Sequence, residues 1–181
     1  MRDWIIEGIC SMRLSIILLT LGISVAALAQ HGATDGEWRH YAGDRGSTKY
    51  SSVDQINADN VNELVEAWRW ASVETETGVA GAGSFKATPI YVNGVLYTST
   101  SMSQVAAIDP ATGETLWVYD PESYKQGRPA NSGFQHRGVD YWTDGEIERI
   151  LIATGGRQLV SIDPATHLPD PNFGENGIVD L

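Results

Sequence analysis

The residues best suited to chemistry sit in one long polar loop that enters a strand, Arg128–Trp142 (RPANSGFQHRGVDYW). At its centre Arg137 offers a planar guanidinium fork, a shape that grips carboxylates with two parallel hydrogen bonds in a partly dry pocket. On composition alone the commoner arrangement is a surface pairing of this side chain with Asp140 or Asp144, which is worth little energy. Lys86, in Phe85-Lys86-Ala87-Thr88-Pro89, is a second cation, either a point charge for an anionic group or an exposed strand-end residue. His136 precedes Arg137 and stands alone, a setting more typical of a structural or loop histidine than of an acid or base. The formal net charge of -11 argues against a nucleic-acid groove or an anionic membrane surface as partner.

The elements that must hold this loop are strands. The composition of 19 Gly, 6 Trp and 7 Tyr, broken every few residues by turn chemistry, fits an all-β chain. Thr88–Val92, the turn Asn93-Gly94 and Val95–Ser99 form the strongest hairpin signal, because Asn-Gly tolerates the positive φ angles of a type I′ turn. Gln104–Ile108 and Thr115–Tyr119 add a third and a fourth strand. The pattern restarts with Val139–Trp142, a turn around Asp144-Gly145, Ile147–Ala153 and Gln158–Ile162. Upstream, Glu37–Ser52 has no clean period and reads as loop. Asn57 caps a predicted short helix from Ala58 to about Val65, and Ala67–Ala71 (AWRWA) is a predicted strand with Trp68 and Trp70 on one face.

The two units share a phrase. Ala107-Ile108-Asp109-Pro110-Ala111-Thr112-Gly113 recurs as Ser161-Ile162-Asp163-Pro164-Ala165-Thr166-His167, with aspartates 54 residues apart at positions 109 and 163. A strand-built repeat of this size predicts propeller blades of four antiparallel strands; a β-sandwich is the alternative. Asp109 is placed to accept hydrogen bonds from its own turn, Gly113 to supply a left-handed conformation, and Trp117 to fill the gap to the next blade. In the second unit His167 replaces the glycine and Pro171 stands where a tryptophan would fall. Its outer strand is therefore doubtful, and Pro169 and Pro171 suggest a loop there.

At the N-terminus, Arg13, the apolar run Leu14–Leu28 and the Ala27-Leu28-Ala29 end have the three parts of a cleavable secretory signal. About 15 apolar residues fall short of the roughly 20 that span a bilayer. We therefore expect residues 1–29 to be a signal peptide, with Met12 a possible true start, and 30–181 to be exported. Cleavage would remove Cys10, the only cysteine, and with it any disulfide, thiolate metal site or haem attachment within this stretch.

The phrase Ala107-x-Asp109-x-x-Thr112-Gly113-x-x-x-Trp117 resembles the tryptophan-docking motif of the quinoprotein alcohol and glucose dehydrogenases. These are eight-bladed propellers holding pyrroloquinoline quinone and calcium on the axis. Trp38 with Tyr41–Tyr50 and Ile56–Trp70 resembles the family's lead-in, Lys86–Thr100 its first hairpin, and Gly174–Leu181 (GENGIVDL) the close of the matching segment in the glucose dehydrogenase branch. His136-Arg137-Gly138-Val139-x-Tyr141-Trp142 is similar to the family's Arg-Gly-x-x-Tyr segment, whose arginine grips a cofactor carboxylate. The resemblance thus implies cofactor contact at Arg137, and it raises the same question for Lys86, which stands where alcohol dehydrogenases carry a glutamate. In the alcohol-oxidising members, adjacent cysteines lie six and five residues before that arginine; here Asn131 and Ser132 stand there, which points towards the glucose or polyol type.

The resemblance implies about two blades of a longer all-β propeller, since rings use roughly 4–8 blades. It implies a periplasmic oxidoreductase passing hydride from a sugar, polyol or alcohol to pyrroloquinoline quinone, with a respiratory quinone or cytochrome c as electron acceptor. No residue here matches the family's catalytic base or its calcium ligands, so neither role is assigned; both are expected downstream. The alternative is a non-catalytic propeller of the same type that serves as a protein-binding scaffold.

Overall fold

A computed structural model describes residues 32–74, 79, 84–130 and 132–181. The signal-peptide expectation for residues 1–29 and the substitution at Asn131 lie outside the described residues. Among the described residues the strands form two antiparallel sheets of four, each in simple sequential order. The first is β1 (Ile90–Val92), β2 (Val95–Ser99), β3 (Val105–Ile108) and β4 (Thr115–Tyr119). The second is β5 (Asp140–Thr143), β6 (Glu148–Ala153), β7 (Gln158–Ile162) and β8 (Ile178–Asp180).

The hairpin forms as its turn chemistry predicts. Asn93 and Gly94 both have positive φ, 49° and 80°, as a type I′ turn requires. β1 leaves no bare edge at its centre: Trp38 and Tyr91 exchange both backbone hydrogen bonds at 2.9 Å, a small patch of pairing that blunts an otherwise open edge. β3 is buried at every position of Val-Ala-Ala-Ile, and its two alanines suit an interior strand flanked on both faces. The sheets approach most closely along β1 and β5, and Ile90, Val105, Ile150, Val160 and Ile162 join one continuous apolar core across both.

The repeated phrase does the same work twice. The Asp109 carboxylate accepts the N–H groups of Ala111 and Thr112 at 2.7 and 3.1 Å, and Asp163 accepts that of Ala165 at 2.8 Å. Gly113 has φ +75°, and a Cβ there would lie 2.6 Å from the Trp68 ring, so glycine is required for conformation and for space. His167 adopts the same left-handed conformation, φ 64°, without being glycine. Its ring stacks on Trp117 of the first sheet with centroids 5.0 Å apart, a contact that offsets the conformational cost.

Three expectations need correction. Residues 67–71 form no strand. Trp68 and Trp70 still share a target, their indole N–H groups donating to the Pro110 carbonyl and the Thr115 hydroxyl at 3.0 and 2.9 Å, so side-chain contacts replace ladder bonds. The helix predicted over 58–65 shrinks to a single 3-10 turn, Val61–Glu63. Val61, Leu64 and Val65 are exposed, and an isolated short helix with nothing to pack on does not propagate. The outer strand of the second sheet does exist, as β8, but only after a loop that carries Pro169 and Pro171.

Antiparallel order fixes which loops meet. The entry to β1, the β2–β3 loop, the connection between β4 and β5, and the β6–β7 loop all emerge at one end of the two sheets.

Candidate functional site

That shared end gathers the cations singled out in the sequence. The Thr88 N–H, just before β1, donates to the Arg137 carbonyl at 3.0 Å, just before β5. The approach is so close that a Cβ on Gly138 would fall 2.8 Å from the Thr88 carbonyl oxygen, and Gly138 has φ +137°. Only glycine meets both conditions. Lys86 is drawn into the same place, its Nζ donating to Gln135 Oε1 at 3.0 Å.

The Arg137 guanidinium is exposed and has no ion pair among the described residues. The surface alternative is not realised: Asp140 faces His40 at 3.2 Å, and Asp144 accepts the N–H groups of Glu146 and Ile147. Lys86 likewise meets an amide oxygen and, among the described residues, no carboxylate within ion-pair distance. Arg137 and Lys86 thus lie on neighbouring segments with no ion pair between either of them and a described carboxylate. Tyr141 does not join them; it is buried in the core, and its hydroxyl donates to Glu148 Oε1 at 2.7 Å.

His136 lies between the sheets. Its Nε2 is 2.6 Å from the Ala153 carbonyl at the end of β6, and a carbonyl only accepts, so Nε2 carries the proton. Nδ1 is therefore the acceptor, facing the Ser99 hydroxyl at 2.7 Å and the Gly138 N–H at 3.2 Å. Burial pushes its pKa below the ordinary 6.5, and the bond to Ala153 offsets this in part. The sign follows from linkage: the unfolded chain takes up a proton first as pH falls through about 6.5, so the stability of the neutral clamp is present above that pH and lost below it. Melting curves should show stability falling from pH 7.5 to 5.5, with a shallower fall in His136→Asn; identical slopes would contradict this assignment.

Sequence reasoning missed the hydroxyl lining. A cleft of about 120 Å³ beside His136 is bordered by Ser101, Ser103, Ser123, Gln135 and Thr154, and Ser103 accepts the Gly155 N–H at 3.1 Å across the two sheets. The run Thr98-Ser99-Thr100-Ser101 was visible, but a polar run gives no sign that it will be buried. The connection is anchored there by Asp120, which accepts from Gln104 Nε2 at 2.9 Å and Tyr124 Oη at 3.2 Å. Among the described residues no group of three or more histidine, cysteine or carboxylate side chains converges as a metal site.

Four-stranded antiparallel sheets in sequential order, packed through their first strands and locked by a tryptophan from one onto the turn of the next, define blades of a β-propeller. The chain belongs to the pyrroloquinoline-quinone (PQQ) glucose/ethanol/alcohol dehydrogenase β-propeller family, whose model matches residues 38–181. It is 34% identical over 141 residues to the dehydrogenase subunit of a quinone-linked alcohol dehydrogenase of Gluconobacter oxydans, covering 76% of this chain and 17% of that protein. It is 32% identical over 163 residues to the quinoprotein glucose dehydrogenase of the same organism, covering 80% and 20%. The crystal structure of a quinohemoprotein alcohol dehydrogenase from Comamonas testosteroni superimposes with a TM-score of 0.59 at 31% identity, over 75% of this chain and 19% of that one. The chain thus spans about a fifth of the length of these relatives.

Proposed function

We propose that Arg137, with Lys86 beside it, binds carboxylates of PQQ, and that the protein carrying this chain oxidises a sugar, polyol or alcohol. The observation that carries the reading is the unpaired Arg137 guanidinium held at the entry to β1 and β5, with Lys86 on the adjoining segment. Their charges suit a tricarboxylate, and among the described residues neither cation is ion-paired with a protein carboxylate. Bound there, PQQ would supply a carbonyl that accepts hydride, with calcium as the Lewis acid beside it. This chain's own residues bind and orient; no catalytic base and no metal ligand is assigned to them.

Asn131 and Ser132, in place of the adjacent cysteines of alcohol-oxidising members, support a sugar or polyol substrate, although alcohol dehydrogenases predominate among the matched relatives. The Arg13–Ala29 signal supports export to the periplasm and electron delivery to a respiratory quinone or cytochrome c. The test is a dye-linked oxidation assay on the intact protein stripped of cofactor, then given PQQ and calcium. Activity restored on aldoses or polyols above primary alcohols supports the proposal in full. Restoration on alcohols alone removes the sugar assignment, and no restoration on any of them favours a scaffold role.

A further inference from the structure

The peptide unit between Arg137 and Gly138 is held at both ends. Its carbonyl accepts from Thr88 and its N–H donates to His136 Nδ1. The second bond runs from a side chain to the N–H two residues on, so it closes a small ring around Arg137, as Asx turns do around their central residue. The imidazole is itself fixed by Ser99 of the first sheet and Ala153 of the second.

We propose that His136 is a positioning residue for Arg137: by holding that peptide plane it sets the direction in which the guanidinium leaves the backbone, and it references that direction to both blades. This rests on the cofactor reading of Arg137 given above. His136 touches no ligand itself. Its two nitrogens have separable duties: Nδ1 fixes Arg137, and Nε2–H ties the blades together.

Two substitutions divide those duties. His136→Asn keeps an acceptor near the Nδ1 position and loses the reach to Ala153. His136→Gln keeps a donor near the Nε2 position and loses the acceptor. The measurements are PQQ titration and thermal melting of the cofactor-free intact protein, with Arg137→Ala alongside. We expect His136→Gln to weaken PQQ binding about tenfold, the scale of one lost hydrogen bond to a positioning group, and to melt close to wild type. His136→Asn should bind within about threefold of wild type and melt earlier. Equal binding by wild type and His136→Gln, or losses that track melting in both variants, would overturn the positioning role. If Arg137→Ala binds PQQ as wild type does, the cofactor reading fails and this inference with it; if only Arg137→Ala is impaired, His136 alone is misassigned.

Discussion

Arg137→Ala is expected to weaken PQQ binding by about 2–5 kcal/mol, on the order of 30-fold to several thousand-fold in Kd, without lowering thermal stability. The two halves of that expectation have one cause. In the cofactor-free protein the guanidinium makes no ion pair among the described residues, so removing it costs the fold nothing. The backbone bond from Thr88 to the Arg137 carbonyl survives truncation of the side chain. Covered by an anionic ring, the same group becomes a desolvated, hydrogen-bonded charge, and truncation then leaves a carboxylate unpaired. Arg137→Lys keeps the charge and loses the fork, so it should recover only part of the affinity. A fall in melting temperature equal to that of a core variant would show that Arg137 supports structure instead.

Gly138→Ala should damage both stability and binding. The backbone there is in a region that side chains rarely adopt, and the new Cβ would meet the Thr88 carbonyl at 2.8 Å. Strain of this kind costs about 1–3 kcal/mol, and relief requires the entries of β1 and β5 to separate. Because Arg137 sits on one side of that contact and Lys86 two residues from the other, both cations move, and PQQ binding should fall at least as far as in Arg137→Ala. Gly94→Ala is the control. Gly94 also has positive φ, but a Cβ there meets nothing within 4 Å, so it should lose some stability and no binding. Calorimetric melting with a PQQ titration separates the two variants; matched losses at both positions would place the effect in general strain.

What the sequence disclosed follows from the range of the interactions concerned. The Asn93-Gly94 hairpin turn and the Asp109 turn are set by neighbours a few residues away, and both form. Residues 67–71 and 58–65 failed the same test because their outcome depends on a partner surface; one found only side-chain acceptors, the other found no packing at all. His167 shows the limit from the other direction. A non-glycine at that position weighed against the outer strand of the second unit, yet the turn and that strand both form, and Trp117, 50 positions earlier in the chain, stacks on the ring.

The site was legible as a set of residue types and not as an arrangement. Arg137 and Lys86 stood out as cations in a polar setting, but nothing in their spacing said that Thr88 would bond to Arg137 or that Lys86 would reach Gln135. A lone His136 left a loop or a structural role open, and its hydrogen bonds reach both sheets. Ser99, Ser101 and Ser103 carried no signal of burial. A hydroxyl that packs between two blades is indistinguishable, by type alone, from one that faces water.

The most direct measurement is a structure of the intact protein with PQQ bound. The guanidinium of Arg137 should then lie within ion-pair distance of a cofactor carboxylate, with the Thr88–Arg137 backbone bond intact. Clear cofactor density with that side chain turned into solvent, and the carboxylates held by other residues, would contradict the account.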